Sequence, residues 1–566
     1  MHLDLVDVAL GQRPAQVVFK RARVINVFTG ETEEMDFAVA DGRIVGPGDY
    51  RGAREIDLAG KVVCPGFIDG HVHLESSLVT PSQFARAVVP LGTTTVVADP
   101  HEIANVAGLA GVHYMLAATE NLPLRVYFML PSCVPATPFE TSGARLEAAD
   151  LVILRSYPRV LGLGEVMDVR GVLARRPELV AKLETCRDAP IDGHAPGLAG
   201  GELNAYVLAG MGSDHEATTA EEGRERLRRG LHLMLREGSA TRNLRSLLPA
   251  AKGAAARRCL LVTDDRHPED LLGEGHINHL VRLAVAEGLE PAIAIQMATI
   301  NTAEYFGLRD LGAIAPGYRA DFLVLDDLRE FRPRQVYQGG RLVAENGRMV
   351  AGVPEYRDQT VTGTVRLAPL TRESFGLMAP AGKAGADVVE ADVIGLLPRQ
   401  IVTLHLRRRV RVAGGRLVAD PEADLLKLAV VERHRATGNV GLGLVSGFGL
   451  RRGALATSVA HDSHNIVAIG ASDDDMFLAV ATVAEMGGGL VVVDGGEVLG
   501  SLALPIAGLM SPAPLEEVAA DLSRLRRLAF GLGVNEDHDP FMTLSFLALP
   551  VIPELKLTDR GLVAVR

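Results

Sequence analysis

The stretch CPGFIDGHVHLESS, residues 64–77, decides the reading of this chain. A short apolar run ends in His71 and His73, one residue apart, and a carboxylate, Glu75, follows two residues later. Side chains alternate across a strand, so residues two apart point the same way. A His-x-His at a strand end can therefore grip one ion from one side. On its own such a pair is more often an ordinary surface or core feature, so the far parts of the chain have to decide.

Seven more apolar runs follow, each ending in a polar cluster. They are TTTVVADPHE (93–102), RVYFMLPSC (125–133), VLGLGEVMD (160–168), APIDGHAPG (189–197), GMGSDHE (210–216), LHLMLREGS (231–239) and CLLVTDDRH (259–267). Helical stretches lie between them. In TTAEEGRERLRRG, Thr218 and Glu221 have capping-box spacing. Leu227, Leu231, Met234 and Leu235 share one helical face, although the last two can equally begin the seventh strand. Strand–helix alternation implies a parallel sheet, and eight units in this length predict a (β/α)8 barrel rather than an open doubly wound sheet. The polar clusters all sit at the C-terminal ends of the runs, where barrel chemistry is found.

Those ends carry a consistent set: His71 and His73, Glu165, His194, His215, and Asp264 beside Asp265. In a barrel they converge on one rim, and histidines with carboxylates are ligands for divalent metal. The second run adds Asp99, His101 and Glu102 to the same rim.

At 566 residues the chain is too long for one core, and 48% hydrophobic residues leave no case for disorder. A net charge of −12 argues against a nucleic-acid partner. The four cysteines are far apart without a C-x-x-C pair, so neither disulfides nor a thiolate zinc site is expected. No signal peptide or membrane-length apolar run is read, and a cytoplasmic enzyme is expected. Residues 1–65 and 310–355 share a β texture with tight turns and predict one small composite β-sandwich domain around a barrel at 66–309. From 360 to 566 the texture predicts a third, α+β domain.

PGFIDGHVHLESS, GTTTVVADPHEIANV, DGHAPGL, LREGSATRNL and LVTDDRHPEDLLGEGHI resemble the amidohydrolase superfamily, and within it the adenine deaminase family. AHDSHNIVAIG, LPIAGLMS and PFMTLSFLALPVIPELKLTD, in the last domain, carry the narrower resemblance. It implies hydrolysis of adenine to hypoxanthine and ammonia at a binuclear centre, with Mn2+ or Fe2+ favoured and Zn2+ allowed. His71, His73, Glu165 and Asp264 would hold one ion, and Glu165, His194 and His215 the other. Glu165 would bridge, where many relatives use a carboxylated lysine. A homo-oligomer, with a dimer favoured, is the expected assembly.

Asp264 is the expected proton carrier, because it would touch both metal and nucleophile. Asp99, His101 and Glu102 are assigned to substrate protonation or metal support, with Asp99 and Glu102 favoured. Asp214, Glu216, Arg236, Glu237 and Ser239 are candidates for the purine edges. Glu75 is left with loop support or substrate contact. His461 and His464, with His434 upstream, either reach over the barrel mouth, form an accessory metal site, or are hydrogen-bonded inside the third domain; the last is the simplest reading. The main rival activity is a cyclic amidohydrolase of dihydroorotase or hydantoinase type.

Overall fold

Eight strands run parallel at the middle of the computed structural model, which describes residues 3–398 and 400–565. They are Phe67–Val72, Thr93–Ala98, Arg125–Leu130, Val160–Val166, Ile191–Gly193, Ser213–Asp214, His232–Arg236 and Cys259–Val262. Each falls within one of the eight apolar runs. The first five pair in sequence order, as do the last three. Gly212 N–H donates to the Ile191 carbonyl (2.8 Å), which links the two sets. Asp264 N–H donates to His71 O (2.9 Å) and His73 N–H to Asp264 O (3.3 Å), which brings the eighth strand back to the first. The result is a curled parallel sheet. Ile68, Val97, Met129, Met234, Leu260 and Val262 pack together in a core with Phe306 and Leu308.

The helix after the sixth strand begins one residue later than its sequence spacing implies. Thr219, not Thr218, is the cap: Glu222 N–H donates to its hydroxyl (3.3 Å), and Thr219 N–H donates to the Glu222 carboxylate (3.2 Å). The helix covers Ala220–Arg228, and Met234 and Leu235 belong to the seventh strand.

Both flanks of the curled sheet contribute to one nine-stranded sheet. Phe322–Leu325 pairs antiparallel with Val62–Pro65, which in turn pairs with Ala15–Ile25. The β textures at 1–65 and 310–355 thus meet in one hydrogen-bonded sheet, from which Gly52–Asp57 branches at Ala15–Ile25, and Phe19 and Phe37 pack against Phe322 across it. Beyond residue 387 a second nine-stranded sheet is packed by helices Asp473–Glu485 and Leu515–Gly531. Its strand Thr403–Ala413 lies next to the edge, and Arg407, Arg408, Arg409 and Arg411 are exposed there, a pattern that discourages pairing with another chain. All four cysteines are free and buried. Among the described residues no helix is long and apolar enough to cross a membrane.

The C-terminal region sits against the curled sheet. Thr141 N–H and its hydroxyl both donate to Asp559 (2.8 and 2.6 Å), Asn465 Nδ2 donates to Thr141 O (2.9 Å), and Ser511 N–H donates to Leu78 O (2.8 Å). Lys556 is fully buried there, donating to the carbonyls of Ile401 (2.9 Å) and Phe546 (3.0 Å). Burial pushes its ammonium down from 10.5 to about 7. Between those two values the unfolded chain binds a proton that the folded chain has released, so stability rises with pH across that window and is flat below it. In denaturant titrations at pH 7 and 9, Lys556→Met is expected to lose that part of the wild-type rise; an unchanged slope would show that the buried amine is not its source.

Candidate metal centre

Strand ends bring the donor atoms to one point. His71 and His73 leave the first strand, and Glu165 is the penultimate residue of the fourth. Glu165 is preceded by Gly164, where a Cβ would lie 2.0 Å from Asp99 Oδ2. Only a residue without a side chain lets the strand approach Asp99, which accepts the Glu165 amide at 3.0 Å. Asp264 sits just past the eighth strand at φ +59°, an unusual backbone for a residue with a side chain. Its two backbone bonds to the first strand hold it there and aim its carboxylate at the histidines.

His73 Nε2 lies 3.2 Å from Glu165 Oε1 and 3.1 Å from Asp264 Oδ1. His71 Nε2 lies 3.8 and 3.6 Å from the same two oxygens. On the other side of Glu165, Oε2 is 2.6 Å from His194 Nδ1 and 3.2 Å from His215 Nε2. Two donor sets therefore share Glu165. In each of the sets His71–His73–Glu165 and Glu165–His194–His215, the ligand atoms lie within 4.8 Å of one another. His71 Nε2 is buried and has no hydrogen-bond partner. It faces two carboxylate oxygens at a spacing that leaves room for an ion between them.

The electrostatics agree. Burial raises the Glu165 and Asp264 carboxyls, but the histidines around Glu165, and Arg236 with His71 and His73 around Asp264, outweigh it and hold both well below the usual range. Burial lowers His73, yet Asp264 and Glu165 push it well above its ordinary value. Two ionised buried carboxylates demand positive charge at their centre. Protons on imidazole can supply it, and a divalent cation meets the same demand while leaving the imidazoles neutral as ligands. The residues present therefore fit a pair of divalent ions.

Arg236 joins the centre to its rim. Its Nη1 donates to Asp264 Oδ2 (2.7 Å) and also to Glu216 Oε1. Glu216 Oε1 lies 3.5 Å from His215 Nε2 and 3.8 Å from His194 Nδ1. The His194 and Glu216 side chains keep 17% and 13% of their surface exposed, whereas His71 and His215 keep 1% each, so access to the centre is from the His194–Glu216 side.

Three rim candidates are committed elsewhere. Asp214 forms a fully buried pair with Arg226 Nε (2.8 Å) and also accepts the Ala195 amide (3.0 Å). Removing one partner of such a pair strands the other charge, so Arg226→Met is expected to lower unfolding stability by about 3–5 kcal/mol in urea titration. Glu237 accepts the Leu244 amide (3.2 Å), and the Ser239 hydroxyl donates to Asp270 while accepting the His267 amide (2.8 Å). Their polar atoms brace loops instead of facing the centre. Glu75 is a loop support too: it is buried, its Oε1 accepts the Ile103 amide (3.2 Å), and burial pushes its carboxyl up to about 7.

The second-strand cluster is divided. Asp99 Oδ2 takes the Glu165 amide, and His101 Nδ1 lies 3.7 Å from Glu165 Oε1. Glu102 turns toward the C-terminal region: its Oε1 is 2.6 Å from His461 Nδ1, and its Oε2 contacts His464 Nε2. The expectation that His461 and His464 bond only within the C-terminal region is thus wrong, because both reach Glu102 in the helix that follows the second strand. His434 does stay at home, donating from Nε2 to Ser463 O (2.7 Å).

The chain is similar to known proteins along its whole length. Residues 62–343 match the amidohydrolase family, and residues 400–566 match the adenine deaminase C-terminal domain. The chain is 57% identical over 563 residues to adenine deaminase 2 of Carboxydothermus hydrogenoformans, covering 99% of this chain and 97% of that one. It is 51% identical to the adenine deaminase of Nitratidesulfovibrio vulgaris strain Hildenborough, over 100% and 97% of the two chains. It is 47% identical to that of Halalkalibacterium halodurans, over 99% and 96%. With likeness of this degree running from end to end, the chain belongs to the adenine deaminase family.

Proposed function

We propose that the protein deaminates adenine hydrolytically, giving hypoxanthine and ammonia, at a binuclear centre bridged by Glu165. The observation that carries the reading is the pair of donor sets sharing Glu165, in a chain whose relatives named adenine deaminase match it over its full length. The curled sheet is read as a (β/α)8 barrel at 66–309, the flanking sheet as a small composite domain of 1–65 and 310–355, and 360–566 as the C-terminal domain. His71, His73, Glu165 and Asp264 would hold one ion, and Glu165, His194 and His215 the other. The mixture of imidazole and carboxylate suits Mn2+ or Fe2+ at least as well as Zn2+. Bound ions would supply a water of lowered pKa and charge stabilisation at the reacting carbon.

The reaction adds water oxygen to C6 of the purine, places a proton on a ring nitrogen, and releases the amine as ammonia. Asp264 is the carrier that takes the water's proton and returns it to the leaving amine. Arg236 keeps Asp264 charged and in place. Glu216, ionised under the influence of Arg236 and His194 and partly open to solvent, is positioned to accept a purine N–H. Asp99 orients Glu165 through its backbone. Glu102, occupied by two histidines, is a support of the centre and not the ring acid. A cytoplasmic homodimer is the assembly this reading adopts.

Ammonia release from adenine by the Mn2+-loaded protein tests the reading, with dihydroorotate and hydantoin as controls. Turnover of adenine alone is expected; turnover of either control without adenine would assign the site to ring-amide opening.

A further inference from the structure

We propose that the seam between the curled sheet and the C-terminal region holds a further divalent-cation site, built from His101, Glu102, His461 and Asp462. Glu102 stands in the first turn of helix His101–Ala118, after the second strand, and is 2% exposed. Its Oε1 lies 2.6 Å from His461 Nδ1 and 3.6 Å from His101 Nε2. Asp462 brings a carboxylate oxygen within 4.8 Å of ligand atoms of both His101 and Glu102. Asp462 is 3% exposed, and its Oδ2 has no hydrogen-bond partner. An unpaired carboxylate oxygen this deep is costly unless a cation meets it.

The hydrogen bonds around the cluster sort ligands from supports. The Ala460 amide donates to His464 Nδ1 (3.1 Å), so that nitrogen carries no proton and Nε2 does. His464 therefore donates its Nε2 proton to Glu102 Oε2, and it orients this carboxylate without being a ligand. His101 Nδ1 lies 3.4 Å from Asp99 Oδ1. Neither of these two atoms has a hydrogen-bond partner, and it is the other ring nitrogen, Nε2, 3.6 Å from Glu102 Oε1, that faces the cluster. His464 thus backs up one of the four donors, Glu102.

Charge points to a divalent ion. Glu102 and Asp462 bring two negative charges, and neutral His101 and His461 bring none, so one divalent ion balances the set. Two imidazoles and two carboxylates favour Mn2+, Fe2+ or Zn2+ over Ca2+ or Mg2+. Two of the donors come from the start of the helix after the second strand and two from the C-terminal region, so the ion would fasten that region across the centre. His101, beside Glu165, links the two places.

The proposal rests on the binuclear reading only for the number of ions already accounted for. Full-length wild type and Asp462→Asn are stripped, dialysed against rising Mn2+ and analysed by plasma mass spectrometry. Wild type is expected to bind one equivalent more than D462N at saturation, whatever the absolute count. Equal binding by the two overturns the site. The binuclear reading is tested separately, by Glu165→Gln in each background. Should D462N fail to fold, manganese-edge anomalous diffraction from wild-type crystals decides: a peak among His101, Glu102, His461 and Asp462 supports the site, and no peak there overturns it.

Discussion

Asp264→Asn is expected to retain metal and to lose roughly 10²–10⁴-fold in kcat, the range for removing a positioned general acid–base. The amide keeps the shape of the carboxylate, and one oxygen can still face His71 and His73. It cannot take a proton from water and return it to the amine. The NH2 group then faces Arg236 and cannot accept from the guanidinium, so that bond is lost as well. The loss should fall mainly on kcat, with KM for adenine changing little, as befits an interaction made in the transition state. Steady-state kinetics beside a metal count checks it. Near-normal kcat at full metal content would remove Asp264 from the proton path.

Glu165→Gln should fail in the opposite order, losing metal first. Glu165 faces His71 and His73 through one oxygen and His194 and His215 through the other. An amide presents one oxygen and one NH2 group, so only one side keeps a lone pair toward its ion. Outer partners of metal ligands already cost 10–100-fold in affinity when removed, so a shared ligand should cost at least about 100-fold. Plasma mass spectrometry after gel filtration reads the outcome: fewer than two equivalents and little activity are expected, and a full complement would count against the bridge.

Much of this centre was legible in the sequence because it is a strand-end pattern. His71 and His73 lie two apart, and each later ligand closes an apolar run, so parallel strands bring them together without further information. The capping residue was misplaced by one because Thr218 and Thr219 are adjacent and Glu222, not Glu221, turns back to the helix start. The roles of Asp214, Glu237 and Ser239 were not legible for a different reason. Whether a polar atom is free depends on groups supplied by other elements, here Arg226, the Leu244 amide and Asp270. The contact of Glu102 with His464 spans 362 residues. No local periodicity reports such a pairing, and only the docking of the C-terminal region creates it.

The central claim is that two ions flank Glu165. Manganese-edge anomalous diffraction from crystals grown with Mn2+ tests it most directly. The account predicts one peak among His71, His73, Glu165 and Asp264 and a second among Glu165, His194 and His215. A single peak at this centre, or peaks not touching Glu165, would contradict it.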